Sequence, residues 1–254
     1  MFFLKSVRLR GRYGGAYGGA SRPADGTPVG SHPTAPLSGQ EVNVDEQRAS
    51  HPTAPLSGSG ANVQEQKAFL RSQVLEARGR LSAEERRAAG RLIRDAVLSL
   101  PELGMAGTVA VYYSVGAEPE TRGLVFGLWK RGTYVVLPVV REDGDLDWAS
   151  YEGPESMVPG PRGLLEPGET RRGVETVARA DAVLVPALAV DRAGNRLGRG
   201  GGSFDRALAR VGPLVPLIAL LYDDELVDRL PAEPHDVPVR AVVRPTHGVT
   251  PLPG

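Results

Sequence analysis

From residue 107 onward, short apolar runs of strand length alternate with polar or helical stretches, and nothing else in the chain restricts its fold as much. GTVAVYY (107–113), TYVVLPVV (133–140), DAVLVPAL (181–188), PLVPLIALL (213–221) and VRAVVR (239–244) are rich in β-branched residues and bounded by turn formers, which predicts strands. A helix is expected between the first two, from about Thr121 to Arg131, making a βαβ unit. DLDWASY (145–151) alternates in the manner of a half-covered strand. Strands that are mostly buried on both faces need cover on both, so the expected fold class is α/β: a three-layer α/β/α arrangement on a mainly parallel sheet.

Two helices are predicted ahead of the sheet. Leu70, Val74, Ala77 and Leu81 recur at helical spacing, with Lys67, Arg71, Arg78 and Arg80 among them. A second helix begins at Ser82, where SAEE places a carboxylate three residues after the serine as a capping box requires, and Pro101 stops it after about Leu100. Together they read as an N-terminal helical hairpin opening a domain of residues 61–254. Residues 1–60 hold ten Gly and six Pro, a composition close to the roughly 25–30% Gly plus Pro of disordered segments, and are expected to be a disordered tail. The nonapeptide SHPTAPLSG occurs there twice, from Ser31 and from Ser50, as a local duplication. Its His32 and His51 lie in Pro-rich chain that does not preorganise metal ligands.

Composition narrows the chemistry. Thirty basic and thirty acidic side chains cancel, so no whole-protein field draws in nucleic acid or an anionic membrane. The absence of cysteine removes disulfides, zinc–thiolate sites and thiol nucleophiles. With no secretory or membrane-spanning stretch evident, the chain reads as soluble and cytoplasmic, and a monomer is expected.

The most informative stretch for function is VPALAVDRAGNRLGRGGGSFDRALARV (185–211). A strand ends near Pro186, a turn is expected at Ala193–Gly194, and Gly198, Gly200, Gly201 and Gly202 lead into a helix near Phe204. Glycines after a strand and before a helix let backbone amides approach phosphate oxygens, and Arg196 and Arg199 can add charge-assisted hydrogen bonds. Asp205 would repel a bare polyphosphate and becomes sensible if it holds magnesium. A glycine-rich loop by itself is equally a flexible connection, and neither GxxxxGK[ST] nor an orthodox GxGxxG is present. Trp148 and Tyr151 are expected to pack rather than stack on a ligand, and Tyr222-Asp223-Asp224-Glu225 reads as capping and solvated charge.

GNRLGRGGGSFDRAL (194–208) closely resembles the signature of the 5-formyltetrahydrofolate cyclo-ligase family, GNRLGxGxGYYDxxL. Further marks follow in the family's order over about residues 62 to 244: Lys67-Ala-Phe-Leu-Arg71, GAEPET (116–121), GLLEP (163–167) and LPAEPHD (230–236). The resemblance implies an enzyme that uses ATP and magnesium to cyclise 5-formyltetrahydrofolate, monoglutamyl or polyglutamylated, to 5,10-methenyltetrahydrofolate. It implies ATP binding by Lys67, Arg71 and the loop Arg196, Leu197, Gly198, Arg199, Gly200, Gly201, Gly202, Ser203 and Phe204, with Arg196 and Arg199 also catalytic. Folate is expected at Glu118, Glu120 and Phe204, and magnesium at Asp205 and Asp236. Ser203-Phe204 replaces the family's Tyr-Tyr, and Arg240 and Arg244-Pro245-Thr246 depart from its usual C-terminal edge. A non-catalytic nucleotide- or folate-binding module, or a small-molecule kinase or acyl-activating enzyme, would fit the same scaffold.

Overall fold

A computed structural model describes residues 60–160, 164–233 and 236–253. The expected tail, with His32 and His51, lies outside the described residues, as does His235. The chain begins with α1 (Gly60–Gly79), α2 (Ala83–Leu98) and the single turn α3 (Pro101–Gly104). Ser82 caps α2 as predicted: its hydroxyl accepts from the Glu85 amide, while the Glu85 carboxylate accepts from the Ser82 amide at 2.8 Å. Then come β1 (Thr108–Val111), α4 (Arg122–Lys130), β2 (Tyr134–Val140), β3 (Leu146–Ser150) and a small hairpin, β4 (Met157–Pro159) with β5 (Leu165–Pro167). The second half holds β6 (Ala182–Pro186), β7 (Ala189–Asp191), β8 (Arg196–Leu197), α5 (Ser203–Leu208), β9 (Leu217–Leu220), β10 (Leu226–Val227), β11 (Ala241–Arg244) and β12 (Gly248–Pro251).

The main sheet has the order β12-β11-β9-β6-β1-β2-β3. The five strands from β11 to β2 are parallel, and β12 and β3 close the two edges antiparallel. Adjacent residues of each strand go to opposite faces. On one face Val109, Val111, Val135, Leu137, Leu184 and Leu220 meet Ile93 and Val97 of α2, Leu103 of α3, and Leu124, Val125 and Leu128 of α4. On the other, Ala110, Val136, Val183, Val185 and Ala219 meet Trp148, Val177, Ala207 and Leu208. Burying each Val, Leu or Ile side chain contributes about 1.5–3 kcal/mol.

Both faces are covered, but unequally. The second face is roofed by the six-residue α5 and a 3-10 segment, Val174–Arg179, rather than by a layer of long helices. β3 is buried along its whole length, not half-covered as its alternation suggests. Trp148 and Tyr151 pack on opposite faces, in the second and first cores respectively. α1 and α2 are consecutive, yet each packs elsewhere: α2 against α4 and the sheet, and α1 through Leu70 and Val74 onto Leu188, Ala189, Leu197 and Leu230.

That third cluster sits under a small sheet, β10-β7-β8, whose β7–β8 hairpin carries the glycine-rich segment. Asp191, 1% exposed, anchors it. One carboxylate oxygen accepts from the amides of Ala193 and Asn195, the other from the Asn195 side chain and the Leu230 amide. Gly194 completes the turn at φ +90°, where a Cβ would stand 2.4 Å from the Val239 carbonyl. Glycine alone meets both demands.

Candidate active site

Strand order reverses between β1 and β6: later strands run outward to β2 on one side and to β9 on the other. The segments leaving the carboxyl ends of these two strands therefore diverge and leave a crevice. The 112–121 loop follows β1, and residues 187–202 follow β6. A cavity of about 220 Å³ opens there, lined by Glu118, Ala187, Arg196, Arg199, Gly198 to Gly202, Ser203, Phe204 and Asp205, with Arg78 behind them.

The glycine segment is held at several points. Gly200 (φ +100°) and Gly202 (φ +69°, the residue before α5) take up backbone conformations that L side chains resist. Arg71 reaches from α1 to donate to the Gly198 carbonyl at 2.9 Å, its guanidinium against Gly200. Ser203 Oγ and Arg206 both donate to the Gly144 carbonyl, at 2.5 and 2.6 Å, tying the start of α5 to the β2–β3 turn. The hydroxyl at the first position of the family's Tyr-Tyr pair is thus engaged in fixing the loop. Because α5 is so short, the exposed glycine amides and arginines outweigh its dipole as anion-attracting features. Leu197 faces away, 2% exposed in the third core, so only its backbone belongs to the loop.

Charges alternate around the crevice. Arg196 is ion-paired to Asp205, and its Nε is buried without a partner. Burial pushes the Arg196 guanidinium below the ordinary arginine value, while Asp205 and Asp236 pull it back. Lys67 bonds Glu233 at 2.8 Å and Asp236 at 2.9 Å. Burial would lower its ammonium, but these two carboxylates outweigh that and hold it above the usual lysine value. Glu118 lies 8% exposed; burial pushes its carboxyl up, opposed by the Val115 amide at 2.9 Å and by Arg199 at 3.2 Å.

Glu118, Arg196, Arg199, the glycines, Ser203, Phe204 and Asp205 thus line one crevice, Arg71 reaches it through the Gly198 carbonyl, and Lys67 and Asp236 pair with each other outside its lining. Glu120 does not join the cavity; it lines a neighbouring cleft with Arg86, Arg87 and Arg122. Sequence reasoning missed the pair Arg78–Glu225. Arg78, 2% exposed, bonds Glu225 at 2.7 and 2.8 Å and donates to the Ala187 carbonyl at 2.6 Å. Glu225 is therefore buried rather than solvated, yet it does cap the 3-10 turn Asp223–Glu225, accepting from the Tyr222 amide at 2.8 Å, while Asp223 accepts from the Thr246 amide. Glu233, within LPAEPHD but unassigned, proves to be a Lys67 partner.

The 5-formyltetrahydrofolate cyclo-ligase family profile matches residues 63–245. A 5-formyltetrahydrofolate cyclo-ligase of Mycolicibacterium smegmatis is 39% identical over 188 residues, 72% of this chain and 95% of that protein. The one from Escherichia coli K12 is 32% identical over 180 residues, 68% of this chain and 97% of that protein. The solved 5,10-methenyltetrahydrofolate synthetase of Aquifex aeolicus superposes with a TM-score of 0.64 at 32% identity, covering 74% of this chain and 93% of that one. With the family profile spanning most of the chain and relatives matched over nearly their whole length, the chain belongs to the 5-formyltetrahydrofolate cyclo-ligase family.

Proposed function

We propose that this chain converts 5-formyltetrahydrofolate to 5,10-methenyltetrahydrofolate with ATP and magnesium, releasing ADP and phosphate. The observation that supports this beyond family membership is the gathering of Arg196, Arg199, Glu118 and Asp205 around a glycine-lined crevice, with Arg71 bonded to the Gly198 carbonyl at its edge. An amide oxygen is a poor leaving group; phosphorylating the formyl oxygen activates its carbon for attack by the neighbouring folate nitrogen, after which phosphate departs. The protein's task is then to position reactants and neutralise charge.

The residues fit each role. The amides of Gly200 to Gly202 and the guanidiniums of Arg196 and Arg199 hold phosphate oxygens, and the unpartnered Arg196 Nε supplies a donor awaiting an acceptor. Arg71 steadies the loop through Gly198, and Lys67 adds a cation from the same helix face. Phe204 and Glu118 contact the folate. Asp205 and Asp236, both within the electrostatic reach of Arg196, suit a magnesium ion that takes one or two carboxylates and completes its shell with phosphates. An ion bound there would supply positive charge that neutralises what develops on the transferred group.

The test is absorbance of methenyltetrahydrofolate formed by purified protein from 5-formyltetrahydrofolate, with ATP and magnesium omitted in turn. Product dependent on both supports the assignment. Nucleotide or folate binding without ADP release replaces it with a non-catalytic module, and ADP release without methenyltetrahydrofolate points to another acceptor.

A further inference from the structure

The glycine segment is anchored at both ends and unspent in between. At one end Arg71 donates to the Gly198 carbonyl at 2.9 Å. At the other, Ser203 Oγ and Arg206 Nη2 donate to the Gly144 carbonyl at 2.5 and 2.6 Å, and Arg206 also reaches the Gly201 carbonyl at 3.3 Å. Among the described residues the amides of Gly200, Gly201 and Gly202 donate to no acceptor. The anchor itself is firm. The turn between β2 and β3 is closed by the Arg141 amide on the Asp145 carbonyl at 2.9 Å and by the Gly144 amide on the Arg141 carbonyl at 3.0 Å. Just past α5, Arg210 holds both carboxylate oxygens of Asp145, at 3.2 and 2.6 Å. Val140 and Leu146, which flank this turn, line the cavity, so one seam joins the apolar wall of the cavity to its glycine rim.

We propose that Ser203 and Arg206 are positioning residues: by latching the loop to Gly144 they hold the amides of Gly200 to Gly202 in the arrangement that receives phosphate oxygens, and so set affinity for nucleotide rather than for folate. The proposal rests on the reading of this loop as the phosphate site. Glycine has more backbone freedom to lose than any other residue, and a loop that must be ordered on binding gives up affinity. The latch orders it beforehand. Gly200 and Gly202 hold positive φ there, and the Arg206 guanidinium lies so close over Gly202 that a Cβ would meet it at 2.9 Å. The latch also belongs to this chain. Serine stands where the family signature has tyrosine, whose hydroxyl, at the far side of a ring, overshoots that carbonyl from the same backbone position.

The test compares the full-length protein with Ser203→Ala, Ser203→Thr and Ser203→Ala/Arg206→Gln. Binding of ATP in the presence of magnesium is measured by calorimetry, and KM is measured separately for ATP and for 5-formyltetrahydrofolate. Losing the serine hydrogen bond should weaken ATP binding about fivefold, and losing both donors about thirtyfold. KM for ATP should rise in step while KM for the folate stays put. Threonine, which keeps the hydroxyl, should return the parent's values. A Ser203→Ala protein that binds ATP like the parent, a rise shared equally by both KM values, or a threonine variant no better than alanine overturns the latch. If the parent binds ATP without forming methenyltetrahydrofolate, the cyclo-ligase reading fails and calorimetry alone decides the latch. If it binds no ATP, the loop is not a phosphate site and the latch falls with it.

Discussion

Replacing Arg78 with Met isolates what the buried pair contributes. Arg78 makes three charge-assisted hydrogen bonds, two to Glu225 and one to the Ala187 carbonyl, and both partners of the ion pair are under a tenth exposed. Methionine fills much of the volume but leaves the Glu225 carboxylate buried with only the Tyr222 amide, at 2.8 Å, as a donor. Breaking such a pair from one side costs about 3–5 kcal/mol. With a urea slope of about 2 kcal/mol per molar, the denaturation midpoint should fall by about 2 M. Adding Glu225→Gln keeps an acceptor for Tyr222 and removes the charge, so the double variant should regain about 1–3 kcal/mol over the single one. The pH dependence has a definite sign. Burial already pushes the Glu225 carboxyl above its ordinary value against the pull of Arg78; without Arg78 it rises further. A carboxyl whose folded value exceeds its unfolded one favours folding below the unfolded value, about 4.3 for glutamate, and loses that contribution as pH rises through the folded value. The deficit of Arg78→Met should therefore narrow toward pH 4 and widen toward pH 7. A loss under about 1 kcal/mol at pH 7, or no recovery in the double variant, would refute the reasoning.

Three further outcomes can be checked. Gly194→Ala forces a non-glycine residue to φ +90° and drives a methyl to 2.4 Å from the Val239 carbonyl, so it should destabilise by about 2–4 kcal/mol, read by thermal or urea denaturation. Asp205→Asn should cut turnover by about 10²–10³-fold with the far-UV circular dichroism preserved; near-normal turnover removes Asp205 from the magnesium assignment. If folate binding needs ionised Glu118, the acid limb of kcat/KM should lie above the ordinary glutamate value. Arg199→Gln, by deleting a charge that favours the carboxylate, should move that limb to higher pH, and a limb that stays put argues against the role of Glu118.

Several elements were readable because one physical term dominates them. Strands β1, β2, β6 and β9 are apolar on both faces, and Ser82 with Glu85 is a complete local cap. β3 misled because Asp147 looks like a solvent-facing residue in an alternating strand. Its oxygen instead accepts from the amides of Trp148 and Gly173, both at 2.7 Å, and satisfied in this way it is buried. The small sheet escaped notice because β8 and β10 have two residues each, too few for any period to register. The anchor of that sheet, Asp191, is recognisable only once the Leu230 amide is brought back to it.

The candidate site divides along the same line. The glycine segment is contiguous and was legible in sequence, whereas the meaning of each charge in α1 depends on partners far along the chain. A signal was nevertheless present. Lys67, Leu70, Arg71, Val74 and Arg78 fall at i, i+3, i+4, i+7 and i+11, one helical stripe, so burying Leu70 and Val74 on the third core necessarily carries Lys67 and Arg78 inward. Ala77, which had seemed part of the apolar face, is exposed, and so are Phe69 and Leu75. A cation that shares a stripe with the residues a helix must bury needs an acid from elsewhere in the fold. Glu225, Glu233 and Asp236 all lie where the chain returns past the carboxyl ends of the sheet, so the stripe on α1 gives a reason, independent of the glycines, for charged groups to gather there.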